Sequence, residues 1–408
     1  MFSRYFFLGT LFLVLVFSTT ESYSLPENKS YYIHPDTGLN ITQLLSKYGY
    51  PFENHIVQTK DGYLLTLHRM PHGRQNISYS GRPAVLLVHG LLSQSTDFVN
   101  GGPEKSISYL LADRGYDVWL LNCRGNTHSR RHISLDPDVD KEKFWDFSWH
   151  EMGIYDLPNT IDYILNITNQ DALFYIGHSQ GTTAFFVMAS LLPKYNGKIR
   201  HMSALAPSAL FSNNMDIKFR TLANFRNELQ VASVILNIHE FLGHMDLYLN
   251  LVKKFCLKGM ETYSLCEALY VLGVGYSPTE FNMTLLPVMV SNSPSGFSVK
   301  QGFHYLQLFS NGGLFRQYDH GSLINWITYG APTPPNYNLS NIVAPVTLHY
   351  AMKDQLADYK DAEILATLLP NASKRMVPVE NFTHLDFLWG NHVKPLIYDY
   401  ILNEMEKY

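Results

Sequence analysis

Three short runs carry almost no polar residue: PAVLLVHG from Pro83, YDVWLLNCRGN from Tyr116 and LFYIGHS from Leu173. A strand covered on one face alternates apolar with polar. One that is apolar at every position needs cover on both faces, and that condition belongs to parallel sheets wound on two sides by helices. Helix-patterned stretches separate the three runs, which fits. Upstream, HIVQTKDGYLLTLHRM reads as a hairpin turning at Asp61-Gly62. Beyond Pro207 the strands are expected to stop, and residues 210–338 read as mainly helical. VTLHYAMKD and RMVPVENFTHLDF then restore the strand pattern, the second strand running up to His384, and VKPLIYDYILNEME should close the chain as a helix. The expected organisation is therefore an α/β core over 35–209 and 339–408, interrupted by a helical cap and lid at 210–338. Within the cap, Val231, Val234, Ile235, Ile238, Phe241 and Leu242 fall at helical spacing. That face is expected first to pack on the core and only second to touch lipid.

Composition narrows the class. Of 408 residues 46% are apolar and only 16% charged, against roughly 25% charged in average soluble chains. The net charge of -4, with no basic cluster, argues against nucleic acid as a partner. Residues 1–20 hold one early cation, Arg4, then an apolar run from Tyr5 to Phe17, short of the roughly 20 residues that span a bilayer. They read as a secretory signal peptide, not a transmembrane anchor. Sequons at Asn28, Asn40, Asn76, Asn166, Asn282, Asn338, Asn371 and Asn381 agree with passage through the secretory route. Asn381 is set aside because it adjoins a residue needed for chemistry. Of three cysteines, Cys256 and Cys266 could pair across a short loop, which leaves Cys123 buried and inert. Three cysteines without suitably spaced histidines suggest no metal site.

The chemistry centres on GHSQG. A strand, LFYI, must end, turn sharply and enter the helix TTAFFVMAS within a few residues. Gly177 and Gly181 allow close backbone approach beside His178, and Ser179 occupies the apex at a helix N-terminus. There the amide of Gln180 would face an oxyanion formed on an attacked carbonyl. A serine hydroxyl needs a base, and the base an orienting acid. On such sheets these follow the serine in the order acid, then histidine. Asp354, after VTLHYAM, and His384 fill that order and sit at strand ends, whereas Asp358, Asp361, Asp386 and His392 compete less well. The His89-Gly90 turn would aim a second oxyanion amide, that of Leu91.

With these residues placed, the sequence resembles the acid lipase family, which includes gastric and lysosomal acid lipases, on the α/β-hydrolase fold. GYPFENHIVQTKDGYLLTLHR, LLVHGLL, NCRGNTHS, FWDFSWHEMGIYDLP, GHSQGTT, YDHGS, KDQLAD and NFTHLDFLWG carry the resemblance in family order from about residue 35 to 400. It implies Ser179 as nucleophile, His384 as base and Asp354 as orienter, with Leu91 and Gln180 as oxyanion donors. It also implies a mobile lid within 210–338 and a disulfide between Cys256 and Cys266. Cys123 stands where serine is common, His128 where tryptophan is frequent, and AMKD replaces a glycine-rich approach to the acid; no triad member is lost. The implied activity is hydrolysis of neutral lipid esters through an acyl-enzyme, without metal or organic cofactor. Triacylglycerols are the leading substrates and steryl esters a further possibility, met at an oil–water or membrane surface. A carboxylesterase for shorter soluble esters is the alternative, and a non-catalytic lipid carrier a remote one. Secretion is expected, with the lysosomal lumen as the other destination.

Overall fold

The computed structural model describes residues 34–75, 81–214, 216–241, 275, 277, 279–281 and 284–408. The leader, Leu242, Cys256, Cys266 and the sequons Asn28, Asn76 and Asn282 lie outside the described residues.

Eight strands form one sheet in the order β1-β2-β4-β3-β5-β6-β9-β10. They are β1 (Glu53–Gln58), β2 (Leu64–Met70), β3 (Ala84–Val88), β4 (Asp117–Leu121), β5 (Leu173–His178), β6 (Ile199–Leu205), β9 (Val346–Tyr350) and β10 (Ala372–Met376). β1 and β2 form the antiparallel hairpin, β2 runs antiparallel to β4, and every other neighbouring pair is parallel. This is the mostly parallel sheet of an α/β-hydrolase.

The fully apolar strands serve two cores at once. Val85 and Leu87 point into one, with Ile107 and Leu111 of helix α1 (Ile107–Asp113) and Ile397 and Ile401 of the closing helical stretch. Leu86 and Val88 point into the other, with Ile161 and Ile164 of α2 (Leu157–Thr168) and Phe185 of α3 (Gln180–Leu191). Period-two side-chain alternation makes one strand supply both layers, so the interior positions of β3 are apolar throughout.

Between Leu205 and Val346 the chain leaves the sheet. Its described helices there are α4 (Ile217–Asn224), α5 (Arg226–Ile235), α6 (Leu286–Asn292), α7 (Val299–Ser310) and α8 (Ser322–Tyr329). Strands do not wholly stop, contrary to expectation. Glu240–Phe241 (β7) pairs antiparallel with Phe297–Ser298 (β8), too short a ribbon to leave a periodic signal. A second correction concerns α5. It buries none of its ten residues, and Val231, Val234 and Ile235 are 59%, 69% and 75% exposed. An amphipathic pattern shows that a helix has an apolar side, not what covers it.

Candidate active site

Register brings the site together. Val88 pairs with Gly177 and His178 with Leu205, so the C-terminal ends of β3, β5 and β6 lie side by side. Ligands meet such sheets at this end of the strands.

Ser179 follows β5 and caps α3 with φ 51° and ψ -117°. A non-glycine residue at positive φ costs about 1–3 kcal/mol and persists only where its surroundings hold it. Here the Ser179 N–H donates to the carbonyl of Leu205 at 2.9 Å, and its own carbonyl receives Thr182 N–H at 2.8 Å and Thr182 Oγ1 at 2.6 Å. Glycine is required on either side of this turn. A Cβ on Gly181 would lie 2.2 Å from the Val88 carbonyl oxygen, and one on Gly177 2.9 Å from the Gly181 carbonyl carbon. Gly90 faces the serine from the neighbouring loop, where a Cβ would come within 3.1 Å of Ser179 Cβ.

The acid and base meet across thirty residues of sequence. His384 Nδ1 lies 3.0 and 2.9 Å from the two carboxylate oxygens of Asp354, and both side chains are buried. Asp354 Oδ1 also accepts the N–H groups of Leu356 and Ala357, each at 2.9 Å, which aim the carboxylate. With Nδ1 engaged, Nε2 is the atom left to exchange a proton. His178 ties this imidazole to the serine turn: its Nε2–H donates to the His384 carbonyl at 3.0 Å, and the two rings are 4.9 Å apart. Burial pushes the His178 imidazole down to about 3, so it is neutral near pH 7. Among the described residues Ser179 Oγ has no hydrogen-bond partner, and catalytic hydrogen bonds often tighten only when substrate arrives.

His384 does not stand at the end of a strand. β10 ends at Met376, and His384 follows in a loop eight residues later. Asp386 holds that loop by accepting Thr383 N–H at 2.7 Å and Thr383 Oγ1 at 2.8 Å. The remaining competitors have other partners. Asp358 caps the helix Tyr359–Leu368 through Lys360 N–H, Asp361 receives Asn213, and His392 pairs with Glu280.

Among the described residues two backbone amides near Ser179 are left without a protein acceptor, the Gln180 N–H and the Leu91 N–H. His89 explains the second. Its Nδ1–H donates to the Gly90 carbonyl at 2.8 Å, while its Nε2 accepts Cys123 N–H at 3.1 Å and Asn126 Nδ2 at 3.2 Å. A trans peptide points its C=O and N–H oppositely, so gripping the Gly90 oxygen turns the Leu91 N–H away from His89. Burial lowers His89 to about 4, which keeps Nε2 an acceptor. Cys123 is buried and unpaired, and burial raises its thiol far above the ordinary range.

Residues without a motif also reach the site. Gln301 Nε2 donates to Gln180 Oε1 at 3.1 Å, and Ser295 N–H donates to the Leu92 carbonyl at 2.6 Å. Nothing in the sequence marks either contact, because each joins residues more than a hundred positions apart. Among the described residues no group of histidine, cysteine and acidic side chains is arranged to hold a metal.

Comparison with known proteins identifies the family and the fold. The model of the partial alpha/beta-hydrolase lipase region matches residues 41–102, and that of the alpha/beta hydrolase fold matches residues 83–391. Lipase 1 of Drosophila melanogaster is 40% identical over 92% of this chain and 81% of its own length. Human gastric triacylglycerol lipase is 37% identical over 90% and 91% of the two chains. Human lysosomal acid lipase/cholesteryl ester hydrolase is 36% identical over 92% and 93%. A solved structure from Sulfolobus solfataricus superposes with a TM-score of 0.54 at 15% identity, covering 87% of this chain and 99% of that one, a likeness of fold alone.

Proposed function

The chain belongs to the acid lipase family of the α/β-hydrolase fold, and from that premise we propose that Ser179, His384 and Asp354 hydrolyse neutral lipid esters through an acyl-enzyme. The protein is a lipase, a carboxylic ester hydrolase. One observation carries the residue assignment: a serine held at positive φ between β5 and α3, tied through His178 to the backbone of His384, whose Nδ1 is held by a buried carboxylate.

In this reading Ser179 Oγ attacks the acyl carbonyl while His384 Nε2 takes its proton. Asp354 holds the imidazole in the required tautomer and offsets its positive charge. The Leu91 and Gln180 amides receive the oxyanion, aided by the N-terminal end of α3. His384 then protonates the departing alcohol, and water, deprotonated by the same imidazole, releases the fatty acid. No step calls for a metal or an organic cofactor.

Triacylglycerol is the leading substrate, supported by the gastric relatives, with steryl esters second, supported by the lysosomal ones. The surface favours an aggregated lipid over a dissolved ester. Besides α5, helix α8 exposes Leu323, Ile324, Trp326 and Ile327 and contains no charged residue. Tyr318 joins the two helices: Gln230 of α5 donates to its hydroxyl at 3.4 Å and Tyr329 of α8 to its carbonyl at 2.9 Å. An apolar face of this extent, with tryptophan in it, suits the boundary between water and lipid. The expected leader, these relatives and the exposed sequons Asn40, Asn166, Asn338 and Asn371 support secretion or delivery to the lysosome. We assign residues 210–338 to the cap, with Cys256 and Cys266 paired within it.

Hydrolysis of emulsified trioleoylglycerol, emulsified cholesteryl oleate and a soluble short-chain ester, from pH 4 to 9, tests this reading in wild type and Ser179→Ala. Both emulsions should be cleaved by wild type alone. Cleavage of the soluble ester only would make the protein a carboxylesterase, and a folded wild type inert on all three would leave a carrier.

A further inference from the structure

One nine-residue stretch of the cap, Ser293 to Gln301, reaches both loops that present the oxyanion donors. Its first hold is on the β3 loop. Ser295 N–H donates to the Leu92 carbonyl at 2.6 Å, two peptides beyond the Leu91 amide. Leu92 is at φ 63°, a conformation that costs energy for a residue with a side chain and so needs external support. Ser293 Oγ reinforces the same loop by donating to both oxygens of buried Asp97, at 2.7 and 2.9 Å. Asp97 in turn accepts Ser93 Oγ and the Gln94 N–H. The second hold is on the serine turn. Gln301, 1% exposed, donates through Nε2 to Oε1 of Gln180, and its own Oε1 accepts Ser298 N–H at 2.9 Å. The Gln180 side chain is pinned from the other side by a contact of its Nε2 with Met152 sulfur at 3.5 Å.

We propose that two residues of this stretch, Ser295 and Gln301, are positioning residues of the oxyanion hole: they lock, from the cap, the two backbone segments whose Leu91 and Gln180 amides must converge on one oxygen. The inference rests on the lipase reading above and extends it, since it makes the cap part of the catalytic geometry as well as a cover over it. Donors of this kind act only when held at about 2.7–3.1 Å from the oxyanion, so loosening one lowers the rate without weakening the hold on substrate.

Three proteins test the proposal on a soluble short-chain ester: wild type, Gln301→Leu and Ser298→Ala. Gln301→Leu removes the grip on Gln180 together with half of the capping box that starts α7. Ser298→Ala damages the same capping box and leaves the Gln301–Gln180 bond in place. We expect Gln301→Leu to lower kcat about tenfold to a hundredfold with KM within about threefold, less than the roughly 10²- to 10³-fold that outright removal of an oxyanion donor costs, because the donor is loosened and not removed. It should weaken binding of an alkyl boronic acid, which mimics the tetrahedral intermediate, by the same factor. Ser298→Ala should lower the melting temperature and leave kcat within twofold. An unchanged kcat in Gln301→Leu, or an equal loss in both variants, would overturn the proposal. Stoichiometric labelling of Ser179 by a fluorophosphonate separates the two levels: a folded wild type that is not labelled defeats the lipase assignment itself, whereas labelled proteins with matched kcat defeat only the positioning role.

Discussion

Helices α3 and α5 carry similar apolar residues and put them to opposite use. α3, QGTTAFFVMASL, buries eleven of its twelve residues; α5, RNELQVASVI, buries none. Burial is what makes the first compatible with strain. Phe185, Phe186, Val187 and Met188 together stabilise their surroundings by roughly 6–12 kcal/mol at about 1.5–3 kcal/mol each, against about 1–3 kcal/mol for the conformation of Ser179. The packed helix can therefore hold a strained nucleophile. α5 receives no such compensation inside the molecule, and with α8 it presents an apolar face to the outside. On the proposed function, chemistry belongs to the first region and contact with lipid to the second. That division can be broken by substitution.

The largest effect should come from the packed side. Ser179→Ala removes the nucleophile and should lower kcat about 10⁵- to 10⁶-fold while adsorption to a trioleoylglycerol emulsion stays unchanged. Adsorption that fell along with turnover would show that the two regions are not separable. Asp354→Asn should cost about 10⁴-fold in kcat, because an amide bonded to Leu356 and Ala357 would leave Nδ1 of His384 in the wrong tautomer. The bound on this prediction is plain: a loss under tenfold, with folding intact, would pass the acid's role to another carboxylate.

On the exposed side, replacing Leu323, Trp326 and Ile327 of α8 by serine should leave turnover of a soluble ester within twofold. Turnover of an emulsion should fall about tenfold, as expected if roughly 1.4 kcal/mol of apolar contact with the lipid surface is lost. Equal losses on both substrates would mean that α8 supports the site and not the surface. Gln301, argued above, stands between these cases, being a cap residue whose loss should register in the chemistry.

How much of this was legible beforehand follows the same division. β3, β4 and β5 could be read because burial on both faces leaves polar residues only at the ends of these strands, Asp117 and His178. Ser179 could be read because a turn that tolerates no Cβ at Gly177 or Gly181 leaves a local signature. His384 was found by chain order, yet the loop that separates it from β10 was not, since VPVENFTH looks extended in sequence and is held by Thr383 and Asp386 instead. The exposure of α5 was misjudged because periodicity is blind to what lies opposite a face. Gln301 left no trace at all: a single amide contact between residues 121 positions apart has no pattern to detect.

Burial that serves the packed region at neutral pH works against it in acid. His349 lies on β9 with no exposure, and among the described residues neither ring nitrogen has a partner. Burial, with Arg375 and His201 adding to it, holds its imidazole down to about 3 in the folded protein, against about 6.5 when unfolded. A depressed pKa contributes stability that is complete above 6.5 and is lost as pH falls from there toward 3, because the unfolded chain takes up the proton first. At pH 5.5 the loss should be about 1 kcal/mol. His349→Phe keeps a ring of similar shape against Tyr400 and cannot be protonated. Relative to wild type, the variant should therefore gain about 1 kcal/mol between pH 7.5 and 5.5, measured by urea unfolding at both values. A difference between the two proteins that did not change with pH would mean that His349 already finds its proton, or a water, inside the fold. The acid cost of the packed region would then have to be sought at His68 or His178, which burial likewise holds at about 3.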